Sequence, residues 1–251
     1  MADVFLLSDV QFNRIRRYFP LSHGVPRVDD LRVVSGIIYV IKHGLQWKDA
    51  PKGYGPHKTL YNRFMRWSRM GVFNRIFSAL ASQAGDPEQL IIDATHLKAH
   101  RTAASLLKKG DFPRLLGRTK GGLNSKLHAV SDPHGRPICL LLTAGHVSDF
   151  KGAALLLDTL PKAKTLLGDR GYDANWFRDA LKDKGINPCI PSKRNRKVQI
   201  EHDKILYKQR HKVENMFAKL KDWRRVHTRY DRCAHTFFSA ILIAATVIFW
   251  L

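Results

Sequence analysis

From residue 90 onward the chain alternates short apolar runs with helical patterns, and that order constrains its fold more than any other feature. Leu90-Ile91-Ile92 ends at Asp93 and reads as a buried strand. Residues 126–130 and 137–143 flank Asp132-Pro133-His134-Gly135, a hairpin signal. Residues 150–160 have helical spacing. Thr165-Leu166-Leu167-Gly168 reads as a strand ending at Asp169, 176–184 as a helix and 186–190 as a short strand. A basic loop at 192–197 leads into a helix through Tyr207 and Lys221, and an apolar helix closes the chain. Residues 103–122, basic and glycine-containing, read as a flexible loop. The series of strand, hairpin, helix, strand, helix, strand and two helices predicts an α/β fold with a mixed sheet.

The first 85 residues follow a different grammar. Leu31, Val34, Ile38 and Ile41 repeat at helical spacing before Gly44. A turn-rich passage follows at 44–56, then helical patterns through Tyr61, Phe64 and Trp67 and through Val72, Phe73, Ile76, Phe77 and Leu80. This succession is compatible with a helix-turn-helix unit. Lys58, Arg63 and Arg66 lie on or near its middle helix. A small helical bundle with a solvated basic face is the alternative. Gly85-Asp86-Pro87 marks a boundary, so the expected division is a small all-α DNA-binding domain at 1–85 and an α/β domain at 86–251.

Charge narrows the partner. The chain carries 43 Lys and Arg against 21 Asp and Glu, a net charge of +22. A fold does not need this excess, and it implies a polyanionic partner, nucleic acid or an anionic membrane. Cys139, Cys189 and Cys233 are few, odd in number and far apart, which argues against a disulfide framework or zinc site and fits a reducing cytoplasm. The N-terminus shows no signal peptide. The apolar closing segment is shorter than the ~20 residues that span a bilayer. A helix buried in a domain is favoured over a tail anchor.

Three acids then stand out. Asp93 and Asp169 follow strands, and strand ends are where sites form in open α/β sheets. Glu214 belongs to a helix on which Tyr207, Arg210, Glu214 and Lys221 fall within an arc of roughly 60°. Val213, Met216, Phe217 and Leu220 occupy the neighbouring arc. Three hard oxygen donors without nearby thiols favour Mg²⁺ or Mn²⁺ over zinc. Two such ions about 4 Å apart clamp a phosphodiester, one activating the attacking oxygen and the other stabilising the leaving one.

Three blocks carry a resemblance. Asp93-Ala94-Thr95-His96-Leu97-Lys98-Ala99-His100-Arg101 is similar to a D-S-T-x-x-K-A-H-R passage, with Ala94 in place of Ser. Asp169-Arg170-Gly171-Tyr172-Asp173 is similar to D-K-G-Y-D. Tyr207, Arg210, Glu214 and Lys221 match Y-x₂-R-x₃-E-x₆-K at every position. Together they resemble bacterial insertion-sequence transposases of the DDE class, most of all the insertion sequence five family, over nearly the whole chain.

The resemblance implies an RNase H-like core in which Asp93 ends the first strand, Asp169 follows the fourth and Glu214 lies on a late helix. It implies that these three hold two Mg²⁺ or Mn²⁺ ions and are catalytic. It assigns DNA contacts to Tyr207, Arg210 and Lys221, and the nearby cations Lys98, Arg101, Lys120, Lys126 and Arg170 join Lys58, Arg63 and Arg66 as candidates. The stretch between Asp169 and Glu214 has no room for a long β-rich insertion. The implied partners are the element's terminal inverted repeats and target DNA, met by a homodimer in the synaptic complex, in the bacterial cytoplasm at the nucleoid. Rival readings are an RNase H-like host nuclease or resolvase, and a catalytically silent DNA-binding protein. Asp149 is expected to cap a helix, with a supporting place beside the acids as its alternative; Asp173 is a candidate cap for the helix near Trp176; and Trp176 is expected to pack within its helix, with stacking on an extruded base as its alternative.

Overall fold

The computed structural model describes residues 4–21, 29–105 and 114–251. In chain order the first elements are α1 (Asp9–Ile15), α2 (Asp30–His43), α3 (His57–Arg69), α4 (Val72–Ser82), β1 (Gln89–Ala99) and α5 (Arg101–Ala104). Then come β2 (Gly117–Thr119), β3 (Gly122–Ser131), β4 (Pro137–Ala144), α6 (Asp149–Leu156), β5 (Thr165–Leu167), α7 (Asn175–Asp183) and β6 (Asn187–Cys189). The last are α8 (Lys204–Tyr207), α9 (His211–Lys221), α10 (Arg224–His227) and α11 (Ala234–Phe249). Residues 106–113, inside the expected flexible loop, lie outside the described residues; beside them stand α5 and β2 instead of loop.

These elements form two compact units that interleave in sequence. One takes Met1–Ala79, His100–Pro113 and Leu220–Leu251, the other Leu80–Ala99 and Arg114–Lys219. The first unit is helical. Asp29 caps α2 by accepting from the Leu31 N–H at 3.0 Å. Gly44 stops α2 at φ +66, a left-handed conformation that glycine adopts without strain. On α3, Leu60, Phe64 and Trp67 are buried while Lys58, Tyr61 and Arg66 face solvent. α11 touches α2, α3 and α10 and is buried along most of its length, as a helix apolar on every side must be. Its place in this unit means that the helical unit is not confined to the first 85 residues. No helix among the described residues is long and apolar enough to cross a membrane.

The second unit is built on a mixed sheet. β3 pairs antiparallel with β1 on one side and with β2 and then β4 on the other. β1 pairs parallel with β5, and β5 parallel with β6. The order β4-β3-β1-β5-β6 is the RNase H-like arrangement, with β2 as an added short strand. The hairpin between β3 and β4 is fixed by Asp132, whose carboxylate accepts from the His134 N–H at 2.9 Å and the Arg136 N–H at 2.8 Å. Leu90, Ile92, Val130 and Leu166 from the strands pack with Ala153 and Leu156 of α6 and Phe177 and Leu181 of α7.

Gly152 decides how closely α6 approaches the sheet. A methyl group there would stand 2.1 Å from Nδ1 of His128, a fully buried residue of β3. Overpacking of this kind costs about 1–3 kcal/mol. Gly152→Ala is expected to destabilise the sheet unit by that amount, read from urea titrations followed by circular dichroism. Gly85→Ala, where nothing lies within 4 Å of the added methyl, is the strain-only control at φ +74.

Candidate active site

The site begins where two parallel strands part. The β1–β5 ladder runs Gln89↔Thr165, Leu90↔Leu166 and Ile91↔Leu167 and stops. Asp93 and Asp169 each stand two residues past that last pair, so they face one another across the opening. Asp93 is not at a strand end, as the sequence suggested. On its other edge β1 stays paired with β3 from Ile91↔Ser131 through Asp93↔Ala129 to Lys98↔Asn124, which keeps the backbone extended to Ala99. What ends at Asp93 is burial: residues 89–92 are buried and the next three half-buried. Asp169 leaves β5 through Gly168 and turns back, its carboxylate accepting from the Gly171 N–H at 2.8 Å.

Arg210 joins Asp93 to Glu214. One of its nitrogens donates to Oδ2 of Asp93 at 2.9 Å, and the other bonds Oε1 of Glu214. The Tyr207 ring lies beside it, 6.0 Å from the guanidinium carbon. The segment is not one α-helix, as its spacing predicted. Lys208–Arg210 forms a 3₁₀ turn between α8 and α9. In a 3₁₀ turn side chains at i and i+3 eclipse, so Tyr207 lines up with Arg210. Val213, Met216, Phe217 and Leu220 of α9 are buried, as their spacing requires.

Electrostatics ties the acids together. Burial pushes the Asp93 carboxyl up to about 6. The Ala94 N–H and the Arg210 charge pull it down, while the negative charges of Asp169 and Glu214 push it up. Burial works against the charge on Arg210, yet Asp93 and Glu214 raise its pKa above the ordinary value. Arg210 therefore favours the ionised form of Asp93, while burial and the neighbouring acids oppose it.

A second layer stands around these acids, and Asp149 belongs to it by the less favoured of its two sequence readings. Asp149 does not cap α6; Ser148 holds that position. Its carboxylate instead pairs with Lys126 at 2.6 Å and lies 3.4 Å from where a side chain on Gly171 would begin. Lys126 also donates to the Val147 carbonyl at 3.2 Å and is buried, so its charge is committed to the interior. Tyr172 is fully buried, its hydroxyl has no partner among the described residues, and burial together with Asp149, Asp93 and Asp169 raises its pKa well above the usual value. Its only sequence signal was its place in the block beginning at Asp169. Asp173 caps no helix either. It accepts from Arg178 Nε at 2.8 Å, Arg196 Nη1 at 2.9 Å and the Lys193 N–H at 2.8 Å, which pins the basic loop beyond β6.

The candidate DNA contacts divide by their surroundings. Lys98, Arg101, Lys120 and Arg170 are exposed, as are Lys58 and Arg66 on α3. Arg63 pairs with Asp30 at 2.5 Å and stacks over Trp67 at 5.5 Å. Lys221 is half-buried, and burial lowers its pKa. Trp176 is 41% exposed, and its ring lies tilted beside that of its core neighbour Phe177, 5.4 Å between centroids.

The donor chemistry suits a hard cation, since Asp93, Asp169 and Glu214 offer oxygen alone. Among the described residues, however, no three His, Cys, Asp or Glu side chains stand close enough together to hold a metal ion. Arg210 accounts for the spacing, because its guanidinium spans Asp93 and Glu214.

Asp93 carries a consequence for stability. Its folded pKa of about 6 exceeds the ordinary value of 3.8. The folded state therefore loses stability as pH rises from about 4 through 6. Asp93→Asn removes that loss. In EDTA at pH 8 the variant is expected to be more stable than the wild type by roughly 2–3 kcal/mol, a gain that vanishes at pH 4. Denaturant titrations at both pH values read the difference.

Comparison with known proteins accords with this geometry. The family model described as Transposase DDE domain matches residues 84–250, and a model for transposases of the IS4/5 family matches residues 7–77. A Burkholderia cepacia protein named as a transposase for insertion sequence element IS402 is 33% identical over 156 residues, 55% of this chain and 72% of its own length. A Brucella ovis protein named as a transposase for IS6501 is 34% identical over 131 residues, 51% of this chain and 99% of its own. Among solved structures, the piggyBac transposase synaptic complex with hairpin DNA covers 94% of this chain and 69% of that one, at a TM-score of 0.50 and 8% identity, which shows a shared fold. With most of its length matched by the DDE domain, the chain belongs to the DDE transposases of insertion sequences.

Proposed function

We propose that this transposase cuts and joins DNA at the terminal inverted repeats of its element, with Asp93, Asp169 and Glu214 as its catalytic acids. The observation that carries the proposal is the opening beyond the β1–β5 ladder, with an aspartate on each lip and Arg210 linking one of them to Glu214. These carboxylates would hold a pair of Mg²⁺ or Mn²⁺ ions. Such ions activate the attacking oxygen and stabilise the leaving one.

The chain's own groups prepare that chemistry. Burial of Asp93 raises the cost of its charge and so the gain from a cation beside it. Arg210 supplies that positive charge in the absence of other cations. Released from Asp93 and Glu214, its planar donors suit a phosphate of the bound strand. Tyr207 sits beside Arg210 to share such a contact. The Gly171 N–H holds the Asp169 carboxylate in its turn, and the Asp149 carboxylate, paired with Lys126, leaves no free room for a side chain at Gly171.

Residues 1–85 serve in this reading as the DNA-binding domain and 86–251 as the catalytic domain, with α11 completing the helical unit. Lys58, Arg66, Lys98, Arg101, Lys120, Arg170 and Lys221 remain candidate phosphate contacts. Lys126 and Arg63 leave that set, since Asp149 and Asp30 already engage them. Two protomers joining two element ends would act in the bacterial cytoplasm.

On a DNA substrate carrying one element end, Asp169→Ala is expected to lose cleavage by more than ~10²-fold, since even outer partners of metal ligands are worth 10–100-fold. End binding in EDTA should stay close to wild type. Cleavage at the wild-type rate would remove Asp169 from the site. Affinity for the same DNA should fall steeply with salt. Lys120→Ala and Arg170→Ala should each reduce the log–log slope by about one. Lys126→Ala should leave the slope unchanged and lower the melting temperature instead.

A further inference from the structure

A cleft in the helical unit is used by none of this. It has a volume of about 650 Å³ and is formed by three segments far apart in sequence, 44–48, 100–102 and 225–230. Its walls are braced. Arg225 bonds both oxygens of Asp231 at 3.0 and 3.1 Å and the Leu45 carbonyl at 3.1 Å, and lies over the Trp47 ring at 5.2 Å. The His100 N–H donates to the Arg229 carbonyl at 2.9 Å, and the His100 ring meets Tyr230 at 4.8 Å. Tyr230 thus has one face covered, while the residue as a whole remains 45% exposed.

The chemistry of the lining selects an occupant. Trp47, His100 and Tyr230 supply rings, Lys48 an exposed cation and Thr102 a hydroxyl, and no carboxylate lines the cleft. A metal ion would find no anionic donor there. An apolar ligand would bring nothing for Lys48 to meet. A nucleotide satisfies both, with its base on the open side of Tyr230 and its phosphate at Lys48. The volume lies within the ~300–1,000 Å³ of small-ligand sites. That admits a nucleotide turned out of its stack and excludes a duplex.

We propose that this cleft binds an unpaired nucleotide of a DNA strand, stacked on Tyr230 and held electrostatically by Lys48. The cleft's lining includes none of the acids and no residue of α3. It gives the helical unit a means of holding single-stranded DNA that does not depend on reading a duplex.

Binding of the full-length protein in EDTA to an oligothymidylate of about eight nucleotides, and to an abasic strand of equal length, tests the proposal by fluorescence anisotropy. The wild type should bind the base-bearing strand roughly ten-fold or more tightly than the abasic one. Tyr230→Ala should lose that ratio and Tyr230→Phe should keep it. Lys48→Ala should weaken both strands alike and reduce the salt slope by about one. Affinity for duplex DNA should be the same in wild type and Tyr230→Ala. A wild-type ratio near one, or an unchanged ratio in Tyr230→Ala, overturns the proposal. So does a loss of duplex binding in Tyr230→Ala equal to its loss of single-strand binding. None of these readings requires cleavage, so they stand apart from the assignment of the catalytic acids.

Discussion

The site depends on a parallel ladder that ends early. β1 and β5 share register for three residues and then diverge, while β1 stays tied to β3 on its far edge. That asymmetry makes a fixed opening in an otherwise paired sheet. A parallel pair puts residues of equal offset side by side, so Asp93 and Asp169 meet there without any loop having to be folded into place. The buried residues just before them, Leu90, Ile91, Leu166 and Leu167, hold the two strands to the core and so hold the opening to its width.

Bringing acids together at a buried opening is unfavourable unless a cation shares the space. Desolvation and mutual repulsion both act on Asp93. Arg210 offsets part of this, and it does so from a 3₁₀ turn. An Arg on a turn between two helices can change partner with small backbone adjustments, which a residue in the middle of α9 could not. Glu214 sits on α9 itself and is 54% exposed, so it reaches the site from the solvent side. The acids thus differ in stiffness, with Asp93 set by a strand, Asp169 by a turn and Glu214 by an exposed helix face.

Much of this was legible in the residues because it rests on local pattern. The hairpin at Asp132–Gly135, the helices α2, α3, α4, α6, α7 and α11, and the strands β5 and β6 all follow from periodicity and turn chemistry. What was not legible rests on pairing between distant segments. The sequence Leu90-Ile91-Ile92-Asp93 looks like a strand that stops, because polarity stops there; only the ladder with β3 shows that it continues. Lys126 looks like a surface cation until the strand alternation and Asp149 draw it inside. The apolar segment at the end of the chain gave its own burial but not its partners, since nothing in its composition points to α2 and α3. The turn at Lys208–Arg210 carries no Gly or Pro, so no local signal marked the break.

The distribution of charge follows from the same inward pairing. The acids are the minority, and several are engaged within the fold: Asp30 with Arg63, Asp149 with Lys126, Asp173 with Arg178 and Arg196, Asp231 with Arg225. Each such pair removes one acid from the surface and leaves the surplus of Lys and Arg outside. Arg229 is fully buried, donating to the Asp231 and Arg232 carbonyls and lying over Phe237 at 5.0 Å. Even so, the cations turned inward are few against a net charge of +22. A surface left this positive draws in a polyanion before any specific contact forms, and specificity must then come from the few places where charge is combined with shape. The opening beyond β1 and β5 is one such place, and the ringed cleft beside Lys48 is another.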